Sequence, residues 1–297
     1  MLSAKREVLI SADISLVNQE KIMRGGRAKV KSVAYNMDCV EGMKQIPDET
    51  IDMTITSPPY DNIRDYKGYS FDYEKTLDEI FRVTKRGGVC CWIVADQTVN
   101  GSETGTSFKQ ALYAKDIGFN IHDTMIWAKD TTAFPESTRY FQTFEYIFVL
   151  SKGNPKSFNP IQDRANKWRG TNVHGTYREK DGQTKRRGEK ATETEISDYG
   201  TRFNVWDVSV EHNNQTGHPA VFPQKLVRDL MVSWSNEGDR ILDPFLGSGT
   251  TRIVAYDNNR EFVGYEISKE YFDKEEERFE NHTAQLSLFI DGDIGES

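Results

Sequence analysis

The chain has no apolar run approaching the ~20 residues needed to cross a bilayer, and its start, Met1 to Glu7, carries no apolar signal core. The cytosol is the expected location. Cysteine is scarce: Cys39, Cys90 and Cys91 show no Cys-x-x-Cys spacing, and the five histidines are scattered. Neither a disulfide framework nor a metal site is therefore expected. No Gly-x-Gly-x-x-Gly is completed, and no glycine loop ends in Gly-Lys-Ser/Thr, so the phosphate-binding P-loop is excluded. Net positive charge is also lacking. At a formal charge of −8, any polyanion must be met by cations focused on one region. What is present is 297 residues, 37% of them hydrophobic, enough for one large α/β domain with an insertion.

The most informative stretch is Ser57-Pro58-Pro59-Tyr60, which ends the apolar run Ile51-Asp52-Met53-Thr54-Ile55-Thr56. That run reads as a buried strand, and two prolines cannot extend it. Without N–H donors and with fixed φ, they turn the backbone into a rigid arm that offers carbonyl acceptors and carries an aromatic ring at its tip. Such an arm suits a flat ring bearing an amino group. A Pro-Pro turn with Tyr60 as a lid on the core is the structural alternative.

A second signal lies at Arg240-Ile241-Leu242-Asp243-Pro244-Phe245-Leu246-Gly247-Ser248-Gly249-Thr250-Thr251. A short apolar strand enters a glycine loop that opens a helix at Ile253-Val254-Ala255-Tyr256. Gly247 and Gly249 let backbone approach a ligand, and the helix N-terminus presents free N–H groups. The strand Phe262-Val263-Gly264-Tyr265-Glu266-Ile267 follows, with Glu266 near its carboxyl end. In a doubly wound sheet an acid there accepts hydrogen bonds from ribose hydroxyls, so the ligand should carry a nucleoside.

Further strands are expected at Val33-Ala34-Tyr35, Val89 to Ala95, Thr124 to Ala128 and Glu145 to Leu150, and helices at Thr76 to Arg86, ending at Gly87-Gly88, and at Phe108 to Lys115. The run Val89-Cys90-Cys91-Trp92-Ile93-Val94-Ala95 is apolar on both faces, as in a central strand. About seven strands joined by helices imply a mostly parallel sheet covered on both sides.

Together these motifs resemble the S-adenosylmethionine-dependent DNA amino-methyltransferases that modify cytosine N4 or adenine N6. Asp243 to Thr250 is similar to their cofactor loop and Ser57-Pro58-Pro59-Tyr60 to their catalytic tetrapeptide. His218-Pro219-Ala220-Val221-Phe222-Pro223 resembles the segment covering the methionine end of the cofactor. Met37-Asp38-Cys39 with Gly42-Met43 resembles the acidic motif that places Asp38 near the adenine. The resemblance covers most of residues 33 to 280. Catalytic motif first and cofactor loop last is the permuted order of the beta group, which implies DNA rather than RNA as substrate.

The resemblance implies a Rossmann-like, circularly permuted fold divided into an N-terminal extension (1–32), a catalytic half (33–150), a target-recognition insert (151–210), a cofactor half (211–280) and an acidic tail (281–297). It implies Ser57, Pro58, Pro59 and Tyr60 as catalytic residues and S-adenosylmethionine as cofactor. The cofactor residues would be Asp38, Pro219, Phe222, Asp243, Pro244, Phe245, Gly247, Gly249, Thr250 and Glu266. The expected partner is double-stranded DNA, in a nucleoid-associated setting of a prokaryote or phage; the resemblance leaves open a cognate restriction endonuclease and a second copy of the chain. Ser at the first tetrapeptide position favours cytosine N4, with adenine N6 the alternative. An RNA methyltransferase fits the motif order less well, and a silent cofactor- or DNA-binding regulator would have little need of the tetrapeptide.

Carbon-5 methylation is disfavoured, because its thiolate nucleophile normally sits on a Pro-Cys turn and no cysteine here follows proline. Lys129 in Ile126-Trp127-Ala128-Lys129 resembles a family segment near the target pocket, with a surface cation after a strand the alternative; Glu145 and Asp96 read as structural, and Trp206 as a packing residue.

Between Ser151 and Phe203 apolar periodicity disappears, and twelve Lys/Arg face seven Asp/Glu, a local balance of +5. Lys167-Trp168-Arg169 and Lys185-Arg186-Arg187 mix cations with an aromatic, as DNA contact requires. A solvated loop is the alternative reading. From Lys269 to Ser297 nine acids face three bases. Within that stretch Gln285-Leu286-Ser287-Leu288-Phe289 resembles the short motif by which bacterial proteins dock on the sliding clamp, which calls for a mobile tail.

Overall fold

The computed structural model describes residues 30–59, 71–131, 137–173, 175–188, 194–210 and 222–292. Tyr60 and His218 to Val221, Pro219 among them, lie outside the described residues. The catalytic half runs β1 (Ser32–Tyr35), α1 (Cys39–Met43), β2 (Ile51–Thr56), α2 (Tyr73–Val83), β3 (Thr84–Val94), the small hairpin β4 (Thr98–Val99) and β5 (Ser102–Glu103), α3 (Thr106–Asp116), β6 (Asn120–Ala128) and β7 (Phe144–Ser151). The polar insert contributes β8 (Arg164–Ala165), β9 (Thr176–Arg178), β10 (Thr184–Arg186) and β11 (Tyr199–Gly200). The chain then closes with β12 (Val205–Asp207), α4 (Gln224–Trp234), β13 (Arg240–Asp243), α5 (Thr250–Asp257), β14 (Glu261–Tyr265) and α6 (Lys269–Gly292).

One eight-stranded sheet, ordered β1-β14-β13-β2-β3-β7-β6-β12, organises the domain. Every neighbouring pair is parallel except the two made by β7, which runs against β3 and β6. The eighth strand is β12, whose Trp206 pairs with Trp127 and is buried. That strand places residues 205–207 in the sheet rather than in the insert expected over 151–210.

Alternation along β3 explains its continuous apolar run. Val89, Cys91 and Ile93 face one core layer with Leu226, Leu230 and Met231 of α4, while Cys90, Trp92 and Val94 face the other with Leu77 and Ile80 of α2. Adjacent cysteines therefore point to opposite faces. Burial pushes the Cys39 thiol up to about 12 and the Cys90 and Cys91 thiols up as well, so all three are inert.

Two expectations are corrected. The second helix begins at Tyr73, where the Asp72 carboxylate accepts from Lys75 N–H at 3.1 Å, and it ends at Val83. Gly87 and Gly88 do not stop that helix; they lie in the irregular start of β3, where pairing with β2 jumps from Ile51–Thr84 to Met53–Val89. Residues 281–292 are likewise not a separate tail, since α6 runs without a break through Gln285-Leu286-Ser287-Leu288-Phe289 to Gly292.

The insert is folded rather than a solvated loop. β9 and β10 form a hairpin, and β8 pairs with β11. Because β7 runs opposite to its neighbours, the chain leaves it at the sheet edge opposite Ser57. Insert residues then grip α4: Asn159 Nδ2 donates to Val232 O at 3.0 Å, and one turn nearer the helix start Arg202 Nη1 donates to Asp229 Oδ2 at 2.7 Å.

Candidate active site

Parallel pairing brings the carboxyl ends of β1, β14, β13 and β2 to one edge of the sheet, where open α/β folds bind ligands. Tyr35 to Asp38, Glu266, the Asp243 to Thr250 loop and Ser57-Pro58-Pro59 converge there. Asp243 is the hinge of this edge. It is buried, and its Oδ1 accepts from Thr56 Oγ1 at 2.7 Å and from Phe245 N–H at 3.1 Å. A single carboxylate oxygen thus ties the residue before Ser57 to the glycine loop. Burial pushes the Asp243 carboxyl up to about 6, while hydrogen bonds from Thr251, Thr56 and the Phe245 N–H oppose the rise.

The loop itself is buried along Pro244, Leu246, Gly247, Ser248, Gly249 and Thr250, with Phe245 half-buried and edge-on to Phe71 at 5.3 Å. Gly247 has φ +53°, and its N–H donates to Glu266 Oε2 at 3.0 Å. The other oxygen of Glu266 accepts from Ser268 N–H at 2.8 Å. Burial raises the Glu266 carboxyl, and these two N–H groups counter the shift. An ionised carboxylate retains further lone pairs at each oxygen, so Glu266 can hold the loop and still accept hydroxyl donors.

Gly249 also serves helix packing. It adopts φ +78° as the N-cap of α5, and a Cβ there would sit 2.4 Å from Glu275 Cγ. Its missing side chain makes room for α6. Asp38 is exposed and caps α1, its Oδ1 accepting from Glu41 N–H at 3.0 Å, so it reaches the edge next to Glu266 with its side chain turned to the helix. Phe222 packs edge-on to Trp127 at 6.4 Å near the end of β6, on the same side of the sheet as α4.

Asp96, Glu145 and Lys129 are held in local contacts. Asp96 accepts from the N–H and hydroxyl of Ser107 and from Thr104 Oγ1, closing the start of α3. Lys129 pairs with Glu145 and lies 4.6 Å from the Trp127 ring centroid.

In the insert, Lys167, Trp168 and Arg169 are exposed, the Lys167 Nζ 5.6 Å from the Trp168 ring centroid. Lys185, Arg186 and Arg187 are exposed too, but they do not form one patch. Lys185 pairs across the hairpin with Tyr177, and the Arg187 guanidinium lies 5.9 Å from the same ring. Arg186 alternates to the opposite face. Lys185 is also paired with Glu179 at 2.8 Å.

Sequence reading missed three contributors: Thr56, Glu275 and Arg278. Thr56 carried a signal, a buried hydroxyl immediately before Ser57 in an apolar strand. Arg278 and Glu275 carried none, because the stretch from Lys269 onward shows only a net acidic balance.

Comparison with known proteins agrees with this geometry. Residues 51–277 match the N6/N4 DNA methylase family. The chain belongs to that family. It is 51% identical over 247 residues to the orphan methyltransferase M.BamHII of Bacillus amyloliquefaciens, covering 80% of this chain and 92% of that one. It is 27% identical to the type II methyltransferase M.SmaI of Serratia marcescens, covering 81% and 88%. Among solved structures, the PvuII DNA methyltransferase, described as cytosine-N4-specific, superposes with a TM-score of 0.61 at 19% identity, covering 88% and 92%. A DNA modification methylase of Thermus thermophilus, in complex with S-adenosyl-L-methionine, gives 0.58 at 23%, covering 85% and 94%. The fold is that of these enzymes. The chain is a DNA amino-methyltransferase of a family that draws its methyl group from S-adenosylmethionine. The buried loop with Gly247 in the left-handed region and Glu266 at the adjacent strand end suits such a nucleoside cofactor. Among the described residues no cluster could hold a metal ion and no helix is long and apolar enough to cross a membrane.

Proposed function

We propose that this enzyme methylates the exocyclic amino group of a base flipped from duplex DNA, with cytosine N4 as the acceptor. The observation that carries the reading is the Thr56–Asp243 hydrogen bond, which sets Ser57-Pro58 against the Asp243 to Thr250 loop. Bound at that loop, S-adenosylmethionine supplies an electrophilic methyl group. Gly247 and Glu266 are the residues that would hold it, with Asp243, Pro244, Phe245 and Thr250 shaping the loop.

An exocyclic amino nitrogen is a poor nucleophile, because its lone pair is delocalised into the ring. Two acceptors facing its hydrogens favour a pyramidal nitrogen and free that pair. The Ser57 hydroxyl and the Pro58 carbonyl fill these roles, Pro59 fixes the arm's direction, and Tyr60 supplies a stacking surface. No covalent enzyme intermediate is needed. Flipping the base costs a few kcal/mol, which stacking on Tyr60 partly offsets. Serine rather than an acid or amide at position 57 supports cytosine N4 over adenine N6.

The insert would carry the duplex through Lys167, Trp168, Arg169, Lys185, Arg186 and Arg187. The orphan label of the 51% identical relative supports action without a cognate endonuclease. Docking on a sliding clamp through Gln285 to Phe289 would use the far end of α6, where Gln285 is exposed. Changing Leu288 and Phe289 to Ala should abolish that interaction and spare oligonucleotide methylation.

Tyr60→Ala tests the site. Stacking contributes ~1–3 kcal/mol per base, so methyl transfer to an oligonucleotide should fall by about fivefold to 150-fold while cofactor affinity changes little. Transfer at the wild-type rate would remove the tetrapeptide from the active site.

A further inference from the structure

The cofactor loop is held from behind by α6. Arg278 Nη1 donates to Ser248 O at 2.6 Å and to Thr250 Oγ1 at 3.1 Å, so one guanidinium spans the loop and the first residue of α5. Glu275, one turn earlier, fills the space that a side chain at Gly249 would occupy. The same carboxylate accepts from Arg252 Nη1 of α5 at 3.0 and 2.9 Å, and Glu276 accepts from that nitrogen at 2.5 Å. Arg252 also lies 3.9 Å from the Phe279 ring centroid, and His282 Nε2 is 2.7 Å from Asp257 Oδ1. Contacts therefore run along α5 and α6 over two turns, while Arg278 reaches past them to the loop backbone.

That arrangement separates two jobs. The Arg252–Glu275 pair, with both side chains buried, and the Phe279 contact fix α6 to α5, which any packed helix pair requires. Arg278 also favours the ionised Glu275 by its charge, but its hydrogen bonds to the Ser248 carbonyl and the Thr250 hydroxyl are directed at the turn that opens α5. A glycine loop free to move would lose conformational entropy on gripping a ligand. A charged donor fastened to its backbone lowers that cost beforehand.

We propose that Arg278 is a positioning residue that preorganises the Ser248–Thr250 turn for the methyl donor, acting on cofactor affinity rather than on the chemical step. The inference rests on the loop being the cofactor site. Arg278→Met keeps the apolar stem and removes both hydrogen bonds, and Arg278→Lys restores a donor. In the full-length enzyme, S-adenosylmethionine affinity by calorimetry should weaken on the order of tenfold in Arg278→Met and recover in part in Arg278→Lys. With DNA and cofactor saturating, kcat should stay within about twofold of wild type, so the loss appears in KM alone.

Unchanged affinity in a folded Arg278→Met, or an equal fall in kcat at saturation, overturns the proposal. Should Arg278→Met fail to fold, the Lys variant decides alone: wild-type cofactor affinity combined with a lowered melting temperature would show a purely structural role. Gly247→Val separates the underlying reading. If it leaves cofactor binding intact, the loop is not the cofactor site and the proposal falls with it; if binding is abolished, the Arg278 variants judge the proposal by itself.

Discussion

Thr56 Oγ1 donates to Asp243 Oδ1 at 2.7 Å, joining two residues 187 positions apart in sequence and both buried. Thr56→Val keeps the shape of the strand and deletes the donor. A hydrogen bond to a charged group contributes about 1.5–3 kcal/mol, so the variant should lose stability by that amount in urea unfolding. Because the bond also aligns the arm with the loop, methyl transfer should fall further than stability alone explains. A loss below about 0.5 kcal/mol with normal turnover would mean that the two segments are aligned by the sheet alone.

Asp243 also predicts a pH dependence. Its carboxyl is raised by burial from 3.8 to about 6, so between those values the folded protein holds a proton that the unfolded chain has released. The contribution to stability is fully present below about pH 4 and is lost as pH rises through about 6. Asp243→Asn abolishes the titration. Wild-type stability relative to that variant should therefore drop by roughly 3 kcal/mol from pH 4 to pH 7 and then level off. A flat difference across this window would contradict the burial.

Gly249→Ala tests whether that glycine serves the fold. The left-handed backbone costs about 1–2 kcal/mol for a residue with a Cβ, before the contact with Glu275 is counted. A clear fall in melting temperature is expected, because Glu275 is held in place by its buried pair with Arg252 and cannot give way to the new side chain. An unchanged melting temperature would show that the loop tolerates a side chain there.

The β9–β10 hairpin separates its cations, which makes DNA contact testable by face. Lys185 and Arg187 flank Tyr177, whereas Arg178 and Arg186 share the other face. If the first face meets phosphates, neutralising Lys185 and Arg187 should weaken binding to all sequences and reduce the salt slope by about 2. Loss at one base pair with the slope intact would mean base readout instead. Equal losses from the Arg178 and Arg186 pair would rule out a single DNA-facing side.

Much of this architecture was legible because its signals are local. The apolar runs at Ile51, Val89, Thr124, Glu145, Ile241 and Val263 are all strands, and the motifs at Ser57 and Asp243 do lie at one sheet edge. The end of α2 was misread at Gly87-Gly88 because glycine marks a strand irregularity as readily as a helix end; Thr84, extended at φ −70° and ψ 129°, stops the helix instead. Strand β12 has three residues, too short to show periodicity, and exists through its pairing with β6. The β9–β10 hairpin is exposed on both faces, so no alternation betrays it. Thr56, Glu275 and Arg278 act through contacts distant in sequence, which no spacing rule reports.

The most direct test of the central claim is to map modified bases in genomic DNA from cells expressing this chain and from cells without it, with Tyr60→Ala as control. N4-methylcytosine in one recurring sequence context, present only with the wild-type chain, is the predicted result. N6-methyladenine in its place would contradict the choice of cytosine, and 5-methylcytosine or no modified base would contradict amino-group transfer at Ser57-Pro58-Pro59-Tyr60.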